Sequence, residues 1–383
     1  MALRSQIAHN ADLTDFRAYR WQQMYRFDYT PDDCKQFDEA IEVIVVPFAK
    51  RIAAQVRAKL AIETLRPWDM GVEPDKLPPL QPFKSVAELE DKAQAVFSRI
   101  DPQFGAYFET MRREDLLDLD IRKHKAGGGY CTTFIASNRP FIFMNATSQH
   151  GAVQTLLHEG GHSFHVFEAA HLPYFQQRAE RYIPSEFAEV ASTSMELLCG
   201  PYLSVIEGAF YSKLDAARAE RGTLLRMVFL WSRTAMGDMF QHWIYENQEA
   251  ASDPTNCDAK WQELYQRFFP YEDWRGLEEE MKTGWHRILH FFQIPMYMLD
   301  YAMAQLGAVQ VWRNALQDRE AAVRKYRQAL ALGASVALPA LYEAAGAKFV
   351  FNAETLSEAV TLIEQRLNEL DALIEAAADQ SGP

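Results

Sequence analysis

Apolar side chains recur every three to four residues along most of this chain, the spacing that gives a helix one buried face. Asp32–Leu65 keeps this rhythm throughout, with Pro47 as an expected kink or break. Ser85 stands three residues before Glu88, a capping-box pattern that predicts a helix start, and helical spacing continues to about Leu119. Leu203–Glu246, Leu277–Phe292 and Ala353–Leu370 repeat the pattern. Between the first two helical stretches lie Pro67, Pro74, Pro78, Pro79 and Pro82. They form either a loop packed on the core or a boundary between subdomains.

One stretch breaks the rhythm. Lys125–Ser148 opens with Gly127–Gly129 and continues with β-branched and aromatic residues. Two short strands are expected, about Tyr130–Ile135 and Phe141–Asn145, joined through Asn138–Pro140 as a hairpin. The whole pattern predicts a mainly α fold with one small β element.

Composition narrows the function classes. The chain has 383 residues, of which 48% are hydrophobic and 24% charged, enough apolar material for a large core. The net charge of −13 argues against nucleic acid or an anionic membrane as the main partner, since both call for concentrated Lys and Arg. Apolar runs such as Met227–Trp231 are far too short to span a bilayer. The first residues lack a basic segment followed by an apolar one, so no secretory signal is expected. Cys34, Cys131, Cys199 and Cys257 are scattered and read as reduced thiols, which fits a cytoplasmic protein.

The chemistry concentrates in TLLHEGGHSFH. His158, Glu159 and His162 form H-E-x-x-H on a helical stretch. Residues four apart share a helix face, so both imidazoles can reach one metal ion. Glu159 lies about 100° around the helix, near the ion without having to bind it, where it can act as a base toward an activated water. Two imidazoles plus a carboxylate, with one position left open, suit zinc best. Gly160 and Gly161 each cost a helix about 1 kcal/mol relative to Ala, which is understandable where a backbone must approach closely. The next helical segment carries Glu186, Glu189, Thr193 and Glu196 on one face. Any of the three glutamates could supply the third ligand on spacing alone. A solvated acidic face is the competing reading, but Phe187, Val190, Ala191, Leu197 and Leu198 make the helix look buried.

These residues resemble a known family. H-E-x-G-H-x-x-H over His158–His165, then acidic-Phe-x-Glu-x-x-Ser-x-x-x-Glu over Glu186–Glu196, is similar to the thimet oligopeptidase and oligoendopeptidase F family of zinc peptidases. The oligoendopeptidase F branch is the closer match, through PFIFMNATS, HFFQIPMYMLDYA and ALALGASVALPALYEAAG. The resemblance implies a multi-helical, zincin-like metallopeptidase fold with a small edge sheet beside the H-E-x-x-H helix. It implies one Zn2+ per chain, held by His158, His162 and Glu189, with Glu159 as the base. Glu186 and Glu196 would orient the histidines. His290 would lie near the substrate carbonyl, and Tyr297 and Tyr301 would donate hydrogen bonds where charge develops. The Phe141–Asn145 strand would be the edge along which the peptide substrate lies. Family members carry a further N-terminal helical lobe, so the chain is expected to be short there. They often carry another tyrosine where Leu299 stands.

A single catalytic domain is expected over residues 1–383: a helical supporting part at 1–124, the β edge and both ligand helices at 125–200, and a helical part with the His/Tyr motif at 201–383. The expected activity is endopeptidase cleavage of short peptides by a metalloprotease. A zinc carboxypeptidase or dipeptidase, or a silent peptide-binding scaffold, is the alternative. Rival sites are weaker. His165 is about 10.5 Å along the helix axis from His158 and cannot easily share its ion. His286 and His290 have ligand spacing, but Arg287 beside them disfavours a cation. Gly127–Gly129 lacks the Lys-Ser/Thr ending of a phosphate loop. Cys131 has no evident base partner for a thiol mechanism.

Overall fold

A computed structural model describes residues 1–75, 77–204 and 210–380. Helices dominate it, with one three-stranded sheet. Contacts cluster into two compact units: residues 1–78, 227–303 and 350–360 form one, and residues 79–226, 304–349 and 361–383 the other. The first change of unit therefore falls between Pro78 and Pro79, inside the proline-rich connection. Among the described residues no helix is long and apolar enough to cross a membrane.

In the first unit the long helix Pro31–Leu60 begins on a complete capping box. The Thr30 side chain accepts from the Asp33 N–H, and Asp33 accepts from the Thr30 N–H at 2.8 Å. Pro47 does not end this helix. Val43, whose carbonyl Pro47 cannot serve, is 73% exposed, so water can take that acceptor. Phe37, Ile41, Val45, Trp231 and Phe240 are fully buried here. The Trp231 indole donates to the Ala302 carbonyl at 3.0 Å, which satisfies its buried N–H.

The expected continuous helix over Leu277–Phe292 is instead three short pieces: Glu278–Lys282, a 3-10 turn at Gly284–Arg287, and Leu289–Gln293. Gly284 weakens the helix, and a Cβ there would lie 3.1 Å from the Trp261 indole nitrogen. The next residue, Trp285, is held by Asp258 at 2.8 Å. Tertiary contacts thus outweigh an apolar spacing that looked uninterrupted.

The second unit holds the ligand helices. Helix Val86–Ile100 starts at Ser85, whose hydroxyl accepts from the Glu88 N–H at 3.2 Å. Glu88 reaches back to the Lys84 N–H, one residue earlier than a standard capping box. The predicted hairpin forms as β2 (Tyr130–Phe134) and β3 (Arg139–Phe143), antiparallel with Tyr130 opposite Phe143. Asn138 closes the turn with φ 52°, a left-handed position that a short polar side chain tolerates. A third strand, β1 (Leu117–Asp118), pairs parallel with β3. The order β1-β3-β2 makes β3 central, so the strand expected as the peptide-binding edge is paired on both sides. The longer of the two edge strands is β2. Two residues of β1 carry no periodicity, which is why the sequence did not reveal it.

Helix His150–Ala169 packs on helix Ser185–Cys199, and its glycines explain how closely. A Cβ on Gly161 would stand 2.6 Å from the Ala191 carbonyl oxygen and the Ser192 Cα. One on Gly160 would meet the Phe97 ring at 2.7 Å. Either side chain would push apart elements that must touch for the ligands to meet. Phe164 stacks on Phe104 at 4.8 Å and meets Phe97 edge-on at 4.9 Å, anchoring the apolar side of the same helix. The Tyr326 hydroxyl donates to the Ala191 carbonyl at 2.7 Å.

Candidate metal centre

Two helices bring three donors to one point. His158 and His162 lie one turn apart on helix His150–Ala169, and Glu189 faces them from helix Ser185–Cys199. Glu189 Oε2 is 3.3 Å from His158 Nε2 and 3.8 Å from His162 Nε2. One ligand atom from each of the three lies within 4.8 Å of the other two. Tetrahedral bonds of about 2.0–2.2 Å separate neighbouring ligands by about 3.3–3.6 Å, so the donor set fits a zinc-sized ion with little movement. The imidazole planes stand at 82° with centroids 5.0 Å apart, presenting two nitrogens from different directions. Of the glutamates left open by spacing, Glu189 is the one that reaches both histidines.

The surroundings hold each ligand in place. Glu196 Oε1 lies 2.8 Å from His158 Nδ1, which leaves Nε2 to face Glu189. Arg226, from helix Lys213–Glu246, donates to Glu196 Oε2. The Ser192 hydroxyl donates to Glu189 at 3.2 Å. Arg226, Glu196 and His158 thus form a chain that ends at the proposed ligand atom, the arrangement that fixes tautomer and ring orientation in metal sites. Glu186 is buried in the first turn of the same helix as Glu189 and Glu196.

Electrostatics match a centre built for positive charge. Burial opposes a charge on His158, but the hydrogen bonds and charges of Glu189 and Glu196 lift its pKa to about 10. His162 is pulled down to about 4 by burial and stays neutral, as a metal ligand must. Glu159 is 6% exposed. Burial raises its carboxyl to about 7 against the pull of His158, and the Cys131 backbone N–H hydrogen-bonds to it. A carboxylate near neutrality is suited to taking and returning a proton.

The other candidates separate cleanly. His165 is buried edge-on against Phe187 at 5.9 Å, and its Nε2 has no partner among the described residues. Burial pulls it down to about 3, so it is a neutral core histidine. His286 sits on a 3-10 turn 3.8 Å from Asp258, not on one helix with His290. Cys131 lies 3.4 Å from Ser163, and burial pushes its thiol up, away from thiolate chemistry. In the first unit, His290 Nε2 lies 3.2 Å from the Tyr301 hydroxyl, and the Tyr297 and Tyr301 rings are 5.2 Å apart. Those three residues, separated by Pro295 in the sequence, do form one cluster.

Sequence reasoning missed Arg226, Gln154 and His150. They border a cavity of about 510 Å³ that also meets His158, Glu159 and Glu196. Arg226 had one readable signal, a charge set inside the apolar run Leu224–Trp231. Nothing local tied it to a glutamate thirty residues earlier.

This chain resembles known proteins over most of its length. The model of peptidase family M3 matches residues 1–361. Oligopeptidase PepF of Bacillus subtilis (strain 168) is 27% identical over 281 residues, which is 70% of this chain and 40% of that protein. The chromosomal oligoendopeptidase F of Lactococcus lactis subsp. cremoris is 26% identical over 298 residues, covering 74% of this chain and 46% of the relative. The chain thus matches less than half the length of either. A solved structure of PZ peptidase A with an inhibitor superposes with TM-score 0.88 at 27% identity, over 96% of this chain and 64% of that one. A solved structure described as oligoendopeptidase F gives the same TM-score at 28% identity, over 96% and 63%.

Proposed function

The chain belongs to peptidase family M3, and from that premise we propose that it is a zinc-dependent oligoendopeptidase acting on short peptides. The observation that carries the reading is the meeting of His158, His162 and Glu189 at one point with Glu159 beside them. A zinc ion bound there supplies Lewis acidity toward water and the scissile carbonyl. Glu159 takes the proton from the attacking water and returns it to the leaving amine. The Cys131 N–H holds its carboxylate in place, and Glu196 with Arg226 keeps the His158 ring from turning. The exposed edge of β2 suits an extended peptide, which would add a strand by backbone pairing. The family resemblance assigns His290, Tyr297 and Tyr301 to substrate hydrogen bonding, and the proposal retains those roles.

The test is Glu159→Gln, which preserves size and removes the base. Zinc content by mass spectrometry should stay near one ion per chain, while cleavage of internally quenched peptides should fall about 10²–10⁴-fold. Cleavage at the wild-type rate by that variant would overturn the mechanism.

A further inference from the structure

The cavity beside the metal centre has chemistry that the hydrolytic residues leave unused. Its volume is about 510 Å³, and Arg226, Gln154, His150 and Gly151 line it together with His158 and Glu159. The Arg226 side chain is 49% exposed. It gives one amino group to Glu196, and its other N–H groups have no hydrogen-bond partner among the described residues. A guanidinium presents five donors in a planar fork, so most of that fork is available to a ligand.

Two further features point to the same kind of ligand. His150 and Gly151 are the first residues of a twenty-residue helix whose N-cap, Gln149, makes no side-chain capping bond. Such a first turn offers unpaired N–H groups and the positive end of the helix dipole. Independently, Gln154 lines the cavity but is only 6% exposed, and its amide oxygen is turned away from solvent with no hydrogen-bond partner among the described residues, so turning the amide toward a ligand breaks no bond of that oxygen. A buried amide left this way is costly unless something supplies the missing partner. His150 adds no positive charge: burial, with Arg226 nearby, lowers it to about 4. The cation of the cavity is therefore Arg226. The site asks for an anion that brings an N–H donor with it.

Resting on the peptidase reading only for the class of molecule, we infer that this cavity is a subsite for a peptide carboxylate, with Arg226 as its anchor. The guanidinium and the first turn of the helix receive the carboxylate, and the Gln154 amide turns toward the cavity so that its oxygen accepts a neighbouring peptide N–H. Both a peptide's C-terminus and an Asp or Glu side chain offer that chemistry. Because the cavity also touches His158 and Glu159, a carboxylate bound there positions the chain relative to the metal centre. Arg226 is then a specificity-determining residue as well as a support for Glu196.

The experiment uses matched peptide pairs and the full chain loaded with zinc. One pair differs only in a free or amidated C-terminus, the other only in Glu or Gln near that end. Binding to the Glu159→Gln protein is followed by fluorescence anisotropy, and cleavage by the wild type by mass spectrometry. At least one pair should bind about tenfold or more tightly as the carboxylate, since hydrogen bonds to charged groups are among the strong ones. The pair that shows the preference identifies the source. Arg226→Gln should erase the preference and Arg226→Lys should retain part of it. The ratio within a pair cancels any general effect on the metal centre, and zinc content checks that the ion stays. Equal binding of both members of both pairs overturns the proposal, as does a preference that survives Arg226→Gln. Loss of cleavage with the binding preference intact would instead count against the peptidase reading alone.

Discussion

Two clusters in this molecule use the same residue types on helices and arrive at different chemistry. In the second unit, His158, His162 and Glu189 turn their donor atoms toward one another, and Glu196, Arg226 and Ser192 hold them there. In the first unit, Asp38, Asp238 and His242 are almost fully buried, and Asp238 and His242 are four residues apart on helix Lys213–Glu246. His242 Nε2 lies 3.1 Å from Asp238 Oδ2, yet it is not aligned as a hydrogen bond. Arg17 donates to His242 Nδ1 at 3.1 Å. Burial, then the neighbouring Asp238, pushes the Asp38 carboxyl well above the usual carboxylate range, which favours its protonated form. Among the described residues only the His158/His162/Glu189 group gathers three ligand atoms. Spacing four apart on one helix face is common to both clusters. What distinguishes them is that three ligand atoms in the second unit all lie within 4.8 Å of one another, which favours a cation, whereas burial of Asp38 against Asp238 favours a protonated carboxyl.

The strongest way to break this contrast is to remove one residue from each cluster. His162→Ala should lose stoichiometric zinc and bring peptide hydrolysis to background, while Asp238→Asn should keep the ion. Elemental analysis of both proteins after gel filtration decides it, and equal zinc loss would sink the distinction. A smaller effect is expected from Glu196→Gln, which loosens the orientation of His158 but leaves all three ligands. Zinc affinity or activity should fall about 10–100-fold, measured by competition with a chelator.

The smallest effect concerns stability in the first cluster. Asp38 has a raised pKa when folded, so between the unfolded and folded values the native state binds more protons than the unfolded one. Its contribution is fully present below the unfolded pKa and is lost as pH rises toward the folded one, with a slope of at most about 1.4 kcal/mol per pH unit. Asp38→Asn cannot ionise. Its thermal midpoint relative to the wild type should therefore improve as pH is raised from 4 to 8. A difference that stays flat across that range would show that Asp38 is not holding a proton.

Much of the site was legible because its first part is local. H-E-x-x-H needs only the 3.6-residue turn to place two imidazoles together, and Gly160 with Gly161 announced a close approach that Phe97 and the Ala191–Ser192 backbone supply. The hairpin was legible from its β-branched and aromatic residues around Asn138. The Leu277–Phe292 stretch was misread as one helix because its spacing does not register the contacts at Gly284 and Trp285. The two-residue strand β1 was invisible, and with it the central place of β3.

The sequence by itself determined the helical class, the two histidines with the glutamate between them, and a short set of further glutamates from which a third ligand could come. These follow from periodicities of a few residues, which act within one element. Spacing left the third ligand open and the family resemblance named Glu189; only the tertiary structure brought it to both imidazoles, set Arg226 behind Glu196 and left its fork open to a cavity. It also buried Asp38 against Asp238, which raises that carboxyl. Those outcomes depend on which helices touch and at what distance, and burial makes each such meeting energetically decisive.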